Sequence, residues 1–156
     1  SVASGENIRC LVKSAPATTY EITVAMLAQS PRYTTNNVSQ FGICWRESGS
    51  GKLLTYGWGM QNYPLAFFYT QWASPTSPTN QWNYAAPWAW PLWIRFSDDG
   101  TNRMVKISGD GVTFQPVQAP QGRTVYLTAD QVGVFANSWL NTQAARVVSF
   151  LHWKEA

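Results

Sequence analysis

Along most of this chain apolar and polar residues alternate one by one, the period of a strand with one face against a core. In Tyr20-Glu-Ile-Thr-Val-Ala-Met-Leu27 the set Tyr20, Ile22, Val24 and Met26 points one way and Glu21, Thr23 and Ala25 the other. Ser39 to Arg46 repeats the pattern, with Phe41, Ile43 and Trp45 opposed to Gly42, Cys44 and Arg46. Leu92, Ile94 and Phe96 alternate with Trp93, Arg95 and Ser97 in the same way. Between these runs stands turn chemistry. Glu47-Ser-Gly-Ser-Gly-Lys52 returns the chain into a strand predicted over Leu53 to Trp58, and Asp98-Asp-Gly-Thr-Asn102 leads into Met104 to Ser108. Gly109-Asp-Gly111 puts glycine where a tight hairpin needs positive φ. Phe114 to Val117, Gln131 to Ala136 and Ala145 to Trp153 complete the predicted strands, and the one helical candidate is a short turn at Thr128 to Gln131. Many short strands with regular turns predict an all-β sandwich or barrel.

The segment Gln71 to Pro91 breaks this regularity, holding four Pro and four Trp. Proline at that density excludes a central strand. Trp72, Trp82, Trp88 and Trp90 lie here, with Tyr63, Tyr69, Asn80, Gln81 and Tyr84 in or near the segment. Irregular segments carry a disproportionate share of binding residues, and an indole serves equally as core and as a platform for a sugar ring. Two alternatives stand open: an exposed recognition surface, or a lid folded over one sheet. Trp45, Trp93 and Trp153 fall on regular strands, with Trp45 expected in the core. Alternation places Arg95 and Lys106 on the face opposite Ile94 and Ile107, where they offer donors to glycan hydroxyl or carboxylate groups.

Composition narrows the setting. The chain has 156 residues, the size of one domain, expected to span 1–156. It is 12% charged, about half the ordinary share, and its surface must be covered by neutral polar residues of the kind that suit extracellular or virion proteins. The net charge of +3 is spread without a basic stripe, against nucleic-acid binding. No apolar run approaches the ~20 residues that cross a bilayer, against membrane insertion by a helix. The first residue is Ser1, so the chain is expected to be processed or, preferably, cut from a longer polypeptide. Cys10 and Cys44 read either as buried free thiols or as a disulfide, and spacing does not decide between them. With one His and no closely spaced Cys pair there is no zinc motif.

An ordered series of motifs runs through the C-terminal part: Trp93-Ile-Arg-Phe96, Asp98-Asp-Gly-Thr-Asn-Arg103, Ile107-Ser-Gly-Asp-Gly-Val-Thr-Phe114, Leu127-Thr-Ala-Asp-Gln-Val-Gly-Val-Phe135 and a last strand ending in Trp153. Over about residues 92 to 153 it resembles the concanavalin A-like lectin and glucanase superfamily, in the form that includes laminin-G-like modules and phage tail or virion domains. The resemblance implies an antiparallel two-sheet jelly-roll sandwich. Within it Phe114 would return an aromatic to the core, and Gly133 would sit where a side chain crowds the opposing sheet. The Asp98–Arg103 turn and the Leu127–Gly133 run resemble phage proteins in particular. They imply a tail-fibre, tail-spike or capsid-surface domain, commonly trimeric, with other virion subunits and a host glycan or protein as partners.

Glucanases of that superfamily carry closely spaced acids on one strand. No Glu-x-Asp-x-Glu occurs here; Glu6 and Glu155 are near the termini, Asp98, Asp99, Asp110 and Asp130 in turns, and only Glu21 and Glu47 could meet across strands. His152 has no Gly-x-Ser-x-Gly elbow to serve. Asp98, Asp99 and Asp110 have a backbone reason to precede or flank glycine, and they are read as turn formers instead of calcium ligands. The expectation is therefore a non-catalytic virion-surface domain without metal or cofactor, binding through Trp72, Trp82, Tyr84, Trp88, Trp90, Trp93 and Arg95. The alternatives are a structural decoration, cementing or trimerisation module, and a glycoside hydrolase relative.

Overall fold

The computed structural model describes residues 8–17, 19–29, 39–61, 63–84, 92–138 and 147–156. These hold β1 (Arg9–Ser14), β2 (Tyr20–Gln29), β3 (Ser39–Arg46), β4 (Leu53–Gln61), β5 (Tyr63–Ser74) and β6 (Ser77–Tyr84), then β7 (Leu92–Asp98), β8 (Asn102–Ser108), β9 (Gln115–Pro116), β10 (Gln121–Gly122), β11 (Gln131–Ser138) and β12 (Val147–Glu155). One sheet runs β1-β11-β3-β4-β5-β6 and the second β10-β8-β7-β2-β12, with β9 beside β8. Every pairing is antiparallel.

The expected alternation is what joins the layers. Ile22, Val24 and Met26 of β2 lie in register with Phe96, Ile94 and Leu92 of β7, and Ile94 in turn with Ile107 of β8. This face meets Phe41, Ile43, Trp45, Leu54, Tyr56, Trp58, Phe67 and Tyr69 of the other sheet in one core. Each such side chain removed from water contributes about 1.5–3 kcal/mol. Trp45 is in that core as expected, and its indole N–H donates to the Tyr20 hydroxyl at 2.9 Å, which satisfies the one polar atom that burial would otherwise strand. Arg95 and Lys106 stand opposite one another on the far face of their sheet, as alternation implied.

The central strands of the first sheet are buried on both faces. Against its other side Ile8, Cys44, Leu53, Trp72 and Phe135 form a second apolar cluster, joined by Cys10 and Val12. This corrects the placement of Trp72. It belongs to β5, it is 1% exposed, and its indole N–H donates to Thr55 Oγ1 at 2.8 Å. The proline-rich stretch is likewise more regular than expected up to Tyr84. Pro75 and Thr76 turn β5 into β6, and β6 carries Pro78 at the edge of the sheet, where the pairing shifts register and a missing N–H costs no ladder bond. Trp88 and Trp90 lie outside the described residues.

Four local expectations are also corrected. Phe114 does not enter the core; its ring lies 3.8 Å from the Arg95 guanidinium on the outward side of the second sheet, and only Gln115–Pro116 is a strand there. Gly133 crowds a neighbouring strand, not the opposing sheet: a Cβ would lie 2.1 Å from the Leu11 carbonyl oxygen of β1. Thr128 to Gln131 forms no helical turn. Gly111 has the expected positive φ, 74°, but the hairpin is wide and not tight: residues 109–114 join β8 to β9, and Ile107 pairs with Gln115.

Candidate functional site

An aromatic column crosses the sandwich and opens at one flank. It starts at Phe96 of the second sheet, edge-on to Trp45 at 5.3 Å, and continues to Tyr56 at 5.7 Å. Tyr56 stacks on Tyr69 at 4.7 Å and Tyr69 on Trp82 at 4.7 Å, the last two rings only 16° apart. The register of the strands builds the stack: Tyr56, Tyr69 and Trp82 are direct partners across β4, β5 and β6. Cross-strand aromatic pairs of this kind hold one another in place. Tyr69 is buried, yet Trp82 is 42% exposed, because among the described residues β6 is the last strand of its sheet.

Neutral polar groups surround the open end. Gln71 Nε2 donates to the Tyr69 hydroxyl at 2.7 Å, and Asn80 Nδ2 donates to Gln71 Oε1 at 3.0 Å. Thr79 Oγ1 donates to the Gln71 carbonyl at 3.2 Å and lies 3.4 Å from the Tyr126 hydroxyl. Tyr126 reaches the site from the loop after β10, and among the described residues it is the one non-glycine with positive φ, at 73°. Such a conformation persists only where surroundings fix it. Here Lys52 Nζ stands 5.5 Å from the ring centroid and donates to the Tyr126 carbonyl at 3.5 Å. Gln118 Nε2 donates to the Tyr56 hydroxyl at 2.6 Å, tying the stretch between β9 and β10 to the column.

The loops behind the site are pinned by carboxylates. Glu47 accepts from the Ser50 hydroxyl and from the Thr128 N–H, and these bonds lower its pKa. Asp130 accepts from the Ser48 hydroxyl and N–H, with the same effect. Deeper, Asp98 meets Arg103 at 3.4 Å and Arg123 at 3.0 Å, while Arg103 Nη1 donates to the Leu127 carbonyl at 3.3 Å. Burial pushes the Arg103 pKa down despite its acidic neighbour.

The residues expected from sequence to share one surface fall into separate places. Trp82 is at the flank; Tyr84, two residues on, is in register with Phe67. Trp93 and Arg95 lie together on the outward face of the second sheet. Trp93 packs 5.6 Å from the His152 ring and closes over Gly111, while Arg95 Nε donates to Thr23 Oγ1 at 3.1 Å and pairs with Glu21 at 3.2 Å. Trp72 is on the sealed face. Gln71, Thr79 and Tyr126 were not singled out; Tyr126 in particular sits between Val125 and Leu127 with no turn residue to announce it.

No protein-family model matches the chain, and no curated protein matches it. Solved structures do. A functionally unknown protein from Saccharomyces cerevisiae superposes with a TM-score of 0.64 at 15% identity, over 94% of this chain and 72% of that one. The GH43 protein BlXynB of Bacillus licheniformis gives 0.65 at 14% identity over 94% of this chain but 29% of its own, so this chain spans less than a third of that protein. Sheep galectin-11, in complex with glycerol, gives 0.50 at 10% identity over 100% of both chains. At these identities the likeness is one of fold alone, and that fold is an antiparallel two-sheet jelly-roll sandwich.

Proposed function

We propose that this chain is a non-catalytic carbohydrate-binding domain whose sugar ring stacks on Trp82. The observation that carries this is the exposed indole at the end of a rigid aromatic column, bordered by amide and hydroxyl groups. The apolar face of a pyranose suits an immobilised indole, and Gln71, Asn80, Thr79 and Tyr126 supply neutral donors and acceptors for its hydroxyls. The fold likeness to a galectin supports the same reading. Non-catalysis is supported by the acids: each described carboxylate has a structural partner. Glu21 pairs with Arg95, Asp99 accepts from the Thr101 and Asn102 N–H groups, Asp110 from Ser108, Val112 and Thr113, and Glu155 from Lys13 and Trp153. Asp98, Glu47 and Asp130 are held as described above.

For the setting we propose a bacteriophage virion surface with a host glycan as ligand and homo-oligomeric assembly, on the strength of the Asp98–Arg103 and Leu127–Gly133 motifs. The test is a glycan array with wild type, Trp82→Ala and Trp93→Ala, alongside light scattering. Glycan binding that Trp82→Ala abolishes and Trp93→Ala leaves intact is the expected result. A domain that binds no glycan, but forms an oligomer that Trp82→Ala dissociates, would make the module structural.

A further inference from the structure

Lys106 of β8 is the direct cross-strand partner of Arg95 of β7, Arg95 that of Thr23 of β2, and Thr23 that of Lys154 of β12, so the cations Lys106, Arg95 and Lys154 stand in one row across the outward face of the second sheet. Pairing of remote strands creates this row. Like charges set directly opposite one another destabilise a sheet. Glu21, the next outward residue of β2, offsets part of that by lying 3.2 Å from Arg95 Nε, and the ion pairs of the described residues bring the row no second carboxylate. Asp110, in the loop that crosses this face, is taken up by Ser108, Val112 and Thr113 beside it.

Arg95 is fixed in place with its outer edge unused. Its guanidinium carbon lies 3.8 Å from the Phe114 ring centroid, its Nε donates to Thr23 Oγ1 at 3.1 Å, and its side chain stays 30% exposed. These restraints occupy the flat face and Nε; among the described residues Nη1 and Nη2 donate to no acceptor. A guanidinium held in its plane with both Nη groups open is shaped for the two oxygens of a carboxylate, and folding has already taken the side-chain entropy that binding would otherwise cost. The Lys106 backbone lies only ~5 Å from that of Arg95, so its ammonium reaches the same oxygens.

We propose that Arg95 and Lys106 form a carboxylate-binding site on the outward face of the second sheet, separate from the indole platform at Trp82. Nη1 and Nη2 of Arg95 donate to the two oxygens, and the Lys106 ammonium adds the balancing charge. Arg95 and Lys106 set against Glu21 leave a single positive charge, which one carboxylate neutralises and a phosphate dianion exceeds. The bound anion also relieves the repulsion between the two cations. An acidic sugar and an acidic side chain of a partner protein both carry this group. A few charge-assisted bonds at a half-open surface hold a lone carboxylate with a Kd on the order of 1–10 mM, too weak to survive the washing of an array.

The test is a titration of the folded protein with sodium acetate at constant ionic strength, balanced with chloride and read on the Arg95 Nε–H resonance by proton–nitrogen NMR. A saturable shift at millimolar acetate is expected, with glucuronate and acetyl-aspartate amide at least matching acetate and glucose giving none. Lys106→Gln is expected to weaken acetate at least ~5-fold while leaving the urea midpoint unchanged or higher, since it removes a like-charge neighbour; a lysine with only a structural role would not separate the two. Arg95→Lys keeps the charge, loses the fork, and is expected to weaken acetate at least ~10-fold. Glucuronate tighter than acetate assigns the site to an acidic sugar, and acetyl-aspartate amide tighter than acetate assigns it to an acidic side chain. A shift that chloride alone reproduces overturns the proposal, as does a Kd that Lys106→Gln leaves unchanged or inorganic phosphate bound more tightly than acetate.

Discussion

Replacing Asp98 with asparagine isolates the charge at the most deeply placed ion cluster. Asp98 and Arg103 are each 4% exposed in their side chains, and Arg123, 35% exposed, completes the group. The Asp98→Asn side chain would keep an oxygen for the Gly100 N–H, which Asp98 Oδ1 accepts at 2.9 Å, so the turn survives and only the charge is lost. Arg103 is then a buried cation without its counter-ion. Breaking a buried pair from one side costs about 3–5 kcal/mol, against total domain stabilities of about 5–15 kcal/mol. With a urea m-value near ~2 kcal/mol/M, the unfolding midpoint should fall by roughly 2 M. Arg103 Nη2 already lacks a partner among the described residues, so the intact pair is poorly satisfied and an apolar replacement of Arg103 should suit the site. The double variant Asp98→Asn/Arg103→Met is therefore expected to regain most of the loss. Urea unfolding followed by tryptophan fluorescence measures both. A loss under about 1 kcal/mol, the value of an exposed pair, or a double variant no better than the single one, refutes the reasoning.

Trp72→Ala should cost about 3–5 kcal/mol in the same assay, while Trp82→Ala, losing a partly exposed ring, should cost about 1–2 kcal/mol; equal costs would mean that Trp82 is a core residue. Lys13→Ala removes a solvent-exposed pair and should change stability by no more than about 1 kcal/mol, the difference vanishing near ~1 M salt. Backbone N–H bonds from Thr113 and Val112, then the Ser108 hydroxyl, hold the Asp110 carboxyl far below the usual carboxylate range, and Asp99, Asp130 and Glu47 are lowered by their own bonds. Lowered folded pKa values stabilise above the unfolded values near ~4 and lose that contribution as the pH falls through the folded ones. Thermal unfolding between about pH 5 and 2 should show it, with a shallower slope in Asp110→Asn.

Alternation identified β2, β3, β7 and β8 because their inward columns are apolar along most of their length, the buried Asp98 and Arg103 at the ends of β7 and β8 apart, and turn residues placed the hairpins between β3 and β4 and between β7 and β8. It failed where a strand is buried on both faces. In β5, Phe67 and Tyr69 face the core while Phe68, Thr70 and Trp72 face the second cluster, and all five are buried. With aromatics in both columns, a period of two gives no inside and no outside, and the prolines that follow favoured a loop. Whether Trp72 or Trp82 is exposed depends on which strand ends the sheet, a property of pairing partners remote in sequence. Gly133 shows the same limit: the need for glycine was legible, but not that β1, far earlier in the chain, causes it. Tyr126 gave no signal, because the groups it meets, Lys52 and Thr79, belong to other elements.

Those remote contacts also explain how an edge strand, the least constrained part of a sheet, can present a rigid platform. Among the described residues Trp82 has no strand beyond it; one of its faces is fixed by Tyr69, and the ring is 42% exposed. Alone, that arrangement would fray. Here the loop from β10 to β11 crosses to β6, where the Tyr126 hydroxyl meets Thr79 and Thr79 meets the Gln71 carbonyl. The loop is itself fastened at its base, where Arg103 holds the Leu127 carbonyl and the Arg123 N–H donates to the Thr101 carbonyl, with Asp98 between the two guanidinium groups. A buried ion cluster at one end of the sandwich thus anchors the loop that braces the exposed indole. Such bracing would lower the ordering cost for the sugar ligand proposed above, which favours the open end of the column over the sealed face behind Trp72 as its docking place.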